Sequence, residues 1–209
     1  MSVMPNSSPA TAWKALKEGN ERFVAGAPEH PHQSAQHRSG LTSGQHPVAA
    51  VLGCADSRVA PEIVFDQGMG DVFVVRNAGH VLDAAVLGSI EYAVTVLSVP
   101  LIVVLGHGSC GAVTAAVASL EGGSAPSGYI RDVVDRIVPS IQSGRHAGLT
   151  GVGQFITKHV NETVTQLRVR SAPVAAGLAA GTLAVVGATY HLADGTVALR
   201  EHLGDIGQA

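Results

Sequence analysis

The sequence predicts an α/β fold: a mostly parallel central sheet, with four parallel strands plus an antiparallel edge strand, flanked by helices. Two observations predict this fold. Short continuous apolar runs recur along the chain, and stretches with helical periodicity lie between them. Runs without polar alternation are typical of strands covered on both faces. The 209 residues are 46% hydrophobic, which is enough for one domain with a substantial core.

An N-terminal helical arm is expected before the sheet. Ser8 can cap a helix over about Pro9 to Val24, and proline suits the first turn. Gly26 to Gly44 is rich in His, Pro, Ser and Gly and is expected to be an irregular connector. We therefore expect a single domain over 1–209, with the arm and connector over 1–44 and the α/β core over 45–209.

The expected strands and helices follow in alternation. The strands are Pro47 to Gly53, Asp71 to Arg76, Leu101 to Gly106, Thr182 to Ala188 and Thr196 to Arg200. The helices are Asp83 to Ser98, Gly111 to Leu120, Asp132 to Ile141 and Phe155 to Val169. The turn signal Asp194-Gly195 predicts that the last strand returns antiparallel at the edge of the sheet.

Composition argues against several classes of protein. The net charge is -3 and the basic residues are scattered, so no nucleic-acid partner is expected. The uncharged stretches 92–120 and 171–193 are broken by glycine and proline, so no membrane span is expected. Met1 to Ala10 has no basic start followed by an apolar run, which argues against a signal peptide. Two cysteines do not make a disulfide framework, and a cytoplasmic location is expected.

Two polar motifs follow predicted parallel strands. Cys54-Ala55-Asp56-Ser57-Arg58 follows the first strand, and His107-Gly108-Ser109-Cys110 follows the third. Ligands of such sheets bind beyond the carboxyl ends of the strands, so both motifs are expected at one edge. Two thiolates and one imidazole are three of the four ligands of a tetrahedral zinc, and a water in the fourth position makes such a site catalytic. A disulfide between the two cysteines is the alternative.

Asp56 and Arg58 form a second candidate pair. They are two residues apart and can meet around a tight turn, which keeps the Asp ionised and its free oxygen oriented. The alternative is an ordinary surface salt bridge, which contributes little to stability.

Together, Cys-x-Asp-Ser-Arg and His-x-x-Cys resemble the β-class carbonic anhydrases, in particular bacterial members, and the likeness covers roughly Trp13 to Glu201. It implies that Cys54, His107 and Cys110 hold one Zn²⁺ per subunit. Asp56, held by Arg58, would orient the water or hydroxide in the fourth position. Asp56 is also a possible fourth ligand in a closed state.

The resemblance also implies a substrate side. Gln45 and the backbone N–H of Gly111 would hold substrate oxygens. Phe73, Ala78 and Tyr92 would shape an apolar slot for carbon dioxide, with part of it donated by a second subunit of a homodimer or homotetramer. The chain departs from members with a bicarbonate-regulated closed form, because Val51 stands where they carry Trp. That departure argues against their bicarbonate pocket, not against movement of Asp56.

The function expected from the resemblance is zinc-dependent reversible hydration of carbon dioxide to bicarbonate and a proton. The alternatives are a hydrolase of carbon disulfide or carbonyl sulfide on the same fold, a non-catalytic zinc- or bicarbonate-binding module, and a redox dithiol protein. His46 and His80 are candidate proton relays near the site, although an ordinary hydrogen-bonded or exposed histidine is the more common outcome.

Overall fold

The computed structural model describes residues 8–123 and 126–207. The expectation about a signal peptide falls mainly on residues 1–7, which lie outside the described residues. The helices are α1 Pro9–Val24, α2 Ala35–Gly40, α3 Pro61–Val64, α4 Ala84–Thr95, α5 Gly111–Leu120, α6 Tyr129–His146, α7 Val152–Arg170 and α8 Ala172–Ala179. The strands are β1 Ala49–Cys54, β2 Val72–Asn77, β3 Leu101–His107, β4 Ala184–Tyr190 and β5 Val197–Leu203.

The predicted sheet is confirmed in the described part of the chain. Its strand order is β2-β1-β3-β4-β5. β1 pairs in parallel with β2 and β3, β3 pairs in parallel with β4, and β5 is antiparallel to β4. The chain leaves β1 for β2 on one side and then crosses to β3 on the other. This change of direction opens a crevice between the carboxyl ends of β1 and β3, where ligands bind in sheets of this kind.

Helices cover both faces of the sheet because the inner strands are apolar on both faces. Every residue of β1, β3 and β4 is buried. Val103 and Leu105 of β3 pack with Trp13 of α1 on one face. Ile102 and Val104 pack with residues of α4 and α7 on the other. This alternation follows from the two-residue period of a strand.

The predicted N-terminal helix is confirmed with the expected bounds. The Ser8 hydroxyl accepts the N–H of Thr11 at 3.1 Å and caps α1. The amide of Asn20 then fixes the helix to the core, donating to the carbonyls of Val64 (3.0 Å) and Gly195 (2.8 Å). Its oxygen accepts the N–H of Val197 at 2.9 Å, which ties α1 to the start of β5.

Some elements differ from the expectation. The connector contains the short helix α2, which Ser34 caps by accepting the N–H of His37 at 3.0 Å. The helix α8 lies in an Ala/Gly-rich stretch whose composition hides its periodicity, and Ser171 caps it. α6 is longer at both ends than the predicted segment and contains Pro139. No helix among the described residues is long and apolar enough to cross a membrane.

Candidate metal centre

Three possible metal ligands converge at the carboxyl edge of the sheet. Cys54 is the last residue of β1, His107 is the last residue of β3, and Cys110 immediately precedes α5. Their two sulfurs and a ring nitrogen all lie within 4.8 Å of one another. The side chains are buried, with relative exposures of 6% for Cys54, 0% for His107 and 1% for Cys110. Both cysteines are free thiols, so the disulfide alternative is not what the structure contains.

The orientation of His107 suits metal binding. Its Nδ1 lies 2.8 Å from the carbonyl oxygen of Gly108, and because a carbonyl only accepts, Nδ1 carries the proton. Nε2 is buried without a hydrogen-bond partner. Metal-binding histidines are usually oriented by such a hydrogen bond on the other ring nitrogen. A buried unpartnered nitrogen beside two thiols is a donor set that fits Zn²⁺.

The contact between the two thiols shifts their pKa values in opposite directions. A hydrogen bond from Cys110 lowers the pKa of Cys54 to about 4, against the opposing effect of burial. The same contact raises the pKa of Cys110. Burial alone lowers the pKa of His107, but the nearby Cys54 thiolate outweighs it and raises that pKa. Because cysteines bind metal ions as thiolates, binding a metal through both sulfurs requires both thiols to be deprotonated.

Asp56 lies beside the cluster and is held by Arg58. Nε of Arg58 donates to Oδ1 of Asp56 at 2.9 Å, and its Nη2 donates to Oδ2 at 2.7 Å. These hydrogen bonds hold the pKa of Asp56 well below its usual range, so the carboxylate is ionised. Oδ2 lies 3.9 Å from Nε2 of His107. The carboxylate thus borders the metal position while both of its oxygens face Arg58.

The comparisons with known proteins agree with this geometry. A family model described as carbonic anhydrase matches residues 49–197. The chain is 66% identical over 205 residues to a carbonic anhydrase of Mycolicibacterium smegmatis, covering 98% of this chain and 100% of that protein. The chain belongs to the β-class carbonic anhydrase family.

Two further relatives support membership of the β-class carbonic anhydrases. Carbonic anhydrase 2 of Mycobacterium tuberculosis is 63% identical over 205 residues, covering 98% of this chain and 99% of that protein. The solved β-carbonic anhydrase CafA of Aspergillus fumigatus is 25% identical and superposes with a TM-score of 0.71, covering 94% of this chain and 92% of that chain.

Two of the substrate-side residues expected from the β-class resemblance lie beside the ligands. Ala78 follows the residue of β2 that pairs with Cys54, and Gly111 follows Cys110 directly. A Cβ added to Gly79 would lie 3.0 Å from the Cβ of Ala112, the second residue of α5. The turn after β2 therefore contacts the first turn of α5. These backbones therefore border the candidate metal centre.

The other three substrate-side residues lie elsewhere in the same chain. Phe73 pairs with Ala50, four residues before Cys54, which is about 13 Å along the strand. Tyr92 accompanies Phe73, with ring centroids 6.1 Å apart. Gln45 precedes β1, so it also lies towards the amino edge of the sheet, and it is exposed. One chain does not bring these three side chains to its own ligands.

The structure adds contacts that were not expected from the sequence. Arg76 donates from Nε to the carbonyl of Cys54 at 2.9 Å and from Nη2 to the carbonyl of Asp56 at 2.7 Å, which fixes the loop after β1. The backbone N–H of Gly79 points at the Cys54 sulfur at 3.4 Å. The only sequence signal for these contacts was the position of residues 76–79 at the end of a predicted strand.

The two histidines weighed as proton relays have different surroundings. His46 is exposed. His80 is 1% exposed, its ring nitrogens have no hydrogen-bond partner, and burial holds its pKa well below the usual value. A buried neutral ring without hydrogen bonds to pass a proton along is poorly suited to a relay.

Proposed function

We propose that the protein catalyses the reversible hydration of carbon dioxide to bicarbonate and a proton, with Zn²⁺ held by Cys54, His107 and Cys110. The observation that carries the proposal is the convergence of two thiols and one unpartnered imidazole nitrogen within 4.8 Å. Membership of the β-class carbonic anhydrase family supports the same reaction. Carbon disulfide or carbonyl sulfide hydrolysis and a non-catalytic role gain no support from the relatives.

The chain's own residues have defined tasks in this proposal. When bound, zinc supplies the Lewis acidity that makes water a nucleophile near neutral pH. Asp56 accepts a hydrogen bond from the attacking water and fixes its orientation. Arg58 holds both Asp56 oxygens, so the acceptor does not rotate away and stays ionised. In the closed state that we also propose, Asp56 would leave Arg58 and would serve as a fourth ligand of the metal.

The product side of the site is the start of α5. Gly111 is its first residue, and no neighbouring atom lies within 4 Å of where its Cβ would be, so there is open space beside its backbone. The first N–H groups of a helix favour negatively charged oxygens. We assign the Gly111 N–H to a bicarbonate oxygen, and Ala78 to the wall of the apolar slot.

The remaining substrate residues support a homo-oligomer. Phe73, Tyr92 and Gln45 lie towards the amino edge of the sheet, about 13 Å along β2 from the ligands in the case of Phe73. Tyr92 is 46% exposed although it is a large aromatic residue, and β2 is an edge strand. We propose that these residues complete the site of a second copy in a homodimer, or in a homotetramer built from such dimers.

A cytoplasmic location is proposed on the state of the cysteines. The only two cysteines of the chain are free and are used together in the candidate metal centre. Thiols are kept reduced in the cytoplasm.

The proposal is tested by metal analysis with a stopped-flow hydration assay on the wild type, Cys54→Ser and His107→Asn. We expect the wild type to hold zinc and hydrate carbon dioxide, and both variants to lose the two properties together. The matched control is His146→Asn, because His146 is an exposed histidine on α6 that bonds its own helix. Full hydration activity in zinc-free Cys54→Ser would overturn the proposal.

A further inference from the structure

A chain of hydrogen bonds runs from the interface of α6 and α7 to the sulfur of Cys54. Oγ of Ser140 lies 2.9 Å from Nδ1 of His159. Nε2 of His159 lies 3.0 Å from the carbonyl oxygen of Gly79. The N–H of Gly79 lies 3.4 Å from the sulfur of Cys54. Ser140 and His159 are 6% and 4% exposed, so both residues are largely buried.

The acceptors fix where the protons lie. The Gly79 carbonyl only accepts, so Nε2 of His159 carries a proton. Burial lowers the pKa of His159, and the neutral ring leaves Nδ1 to accept from the Ser140 hydroxyl. Each donor therefore faces one acceptor, and His159 is locked in a single tautomer and orientation.

The Gly79 backbone needs support from outside its own turn. Gly79 and the following His80 both have left-handed backbone angles, with φ of 71° and 44°. A glycine has no Cβ to restrict its rotation, so the direction of its N–H depends on what holds the next peptide. Among the described residues, His159 is the side chain that bonds this next peptide through its carbonyl. His80 contributes a tilted ring contact with His159, at 4.6 Å between ring centroids, and no hydrogen bond.

We propose that His159 is a positioning residue for the metal centre, which holds Gly79 so that its N–H points at the Cys54 sulfur. Ser140 holds His159 in turn. A hydrogen bond to a metal thiolate withdraws charge from the sulfur, so it weakens the electron donation to the metal and raises the metal's acidity. The inference rests on the proposed zinc site. It adds Ser140 of α6 and His159 of α7, which are distant from the ligands in sequence.

The same region offers a matched control. Ser140 and His159 line a surface cavity of about 420 Å³ between α6 and α7, together with Gln166 and Arg170. Gln166 is exposed and lies outside the hydrogen-bond chain. A Gln166→Ala variant therefore changes the cavity and leaves the path to Cys54 intact.

The test compares His159→Leu, His159→Gln, Ser140→Ala and Gln166→Ala. Leucine fills the space without a donor, whereas the glutamine amide can donate near the position of Nε2. We expect the zinc affinity of His159→Leu, measured by chelator competition, to fall about 10- to 100-fold, because the Cys54 ligand is then less well oriented before the metal binds. The thiolate-to-metal charge-transfer band of its Co²⁺ form should move to longer wavelength, and the midpoint of its pH–rate profile should rise. Ser140→Ala should shift in the same direction by less, while His159→Gln and Gln166→Ala should stay near the wild type.

Two readouts separate this inference from the proposed function. Zinc affinity and the charge-transfer band do not depend on hydration of carbon dioxide, so they test His159 even if the reaction were a different one. Thermal unfolding of each metal-free variant identifies a general loss of folding. The inference is wrong if folded His159→Leu keeps the wild-type zinc affinity, band position and pH–rate midpoint, or if His159→Gln is as impaired as His159→Leu.

Discussion

At the residue scale, the site depends on metal ligands and polar groups that hydrogen bonds hold in fixed orientations. His107 is oriented by the carbonyl of Gly108, and Asp56 is held by two hydrogen bonds from Arg58. The backbone N–H of Gly79 completes the surroundings of Cys54. Ligands and positioning groups of this kind are needed together, because a loosely held acceptor orients nothing.

The charge of Asp56 is the first target for mutation. Asp56→Asn keeps the shape but removes the charged acceptor, so we expect kcat/KM for hydration to fall about 10- to 100-fold with zinc retained. The control is Asp135→Asn, which breaks an exposed Asp–Arg pair on α6 whose shortest distance is 2.7 Å. Equal activity in the two variants would contradict the role given to Asp56.

The ligand set also predicts the pH dependence of the reaction. Two thiolates cancel the formal charge of zinc, so water should be acidified less than in a three-histidine site, where its pKa is about 7. We therefore expect kcat/KM to rise with pH on the alkaline side. A stopped-flow profile that is already flat from about pH 6.5 upward would contradict this expectation.

The sequence predicted that the candidate ligands converge, because their positions at the ends of strands decide where they lie. Cys54 and His107 each end a buried strand, and neighbouring parallel strands bring such residues to one edge. The role of His159 was not predictable in this way. It reaches Gly79 across 80 positions of sequence, and α7 by itself gives no sign of which buried residue faces the turn.

At the element scale, the buried carboxylate of Asp66 fastens the N-terminal arm and the connector to the core. It accepts the guanidinium of Arg22 at 2.6 Å and the backbone N–H groups of Glu29 and His30 at 2.9 and 3.0 Å. Burial alone would raise the pKa of Asp66, but these donors outweigh it and the pKa is lowered. This anchor explains why a connector poor in apolar residues still follows a defined path.

The lowered pKa of Asp66 predicts how stability depends on pH. Because the folded pKa lies below the unfolded value of about 3.9, the stabilisation is present above that pH and is lost as pH falls through the folded pKa. Asp66→Asn should lower the free energy of unfolding by about 2 kcal/mol at pH 7 and should flatten the acid-side decline. Denaturant titrations at neutral and acidic pH measure both effects.

The control for this stability measurement is again Asp135→Asn, whose carboxylate is exposed. If the two variants have the same stability at neutral pH, Asp66 does not anchor the arm.

Elements were predictable where the sequence carries a distinct pattern, either a continuous apolar run or a helix with a recognisable first turn. The strands read as apolar runs, and α1 had both a cap and a proline in its first turn. α2 and α8 were missed because six residues in a polar connector and eight in an Ala/Gly-rich stretch carry too few distinctive positions. In both helices, a serine that caps the first turn was the available signal.

At the scale of the whole molecule, we propose that two copies of the chain build one site. Gln45 and the Phe73–Tyr92 pair belong to the opposite end of the sheet from the ligands of their own chain. A sequence can suggest all of these residues but not which copy of the chain each one serves. The register of β1 and β2 is what shows that Phe73 lies far from the ligands of its own chain.

Mixed oligomers test this arrangement. Cys54→Ser and Gln45→Ala should each have low activity alone. When they are unfolded together and refolded, a mixed dimer has one site with intact ligands facing an intact Gln45, so stopped-flow assays should show activity above either parent. If Gln45 served its own chain, no mixed site would be complete and the mixture would gain nothing.

The most direct measurement titrates the metal-free wild type with Zn²⁺ and follows carbon dioxide hydration by stopped flow. We expect the rate to rise in proportion to bound zinc and to level off at one zinc per chain, with no rise in Cys54→Ser. Full hydration activity before zinc is added would contradict the proposed function. So would an absence of activity once one zinc per chain is bound.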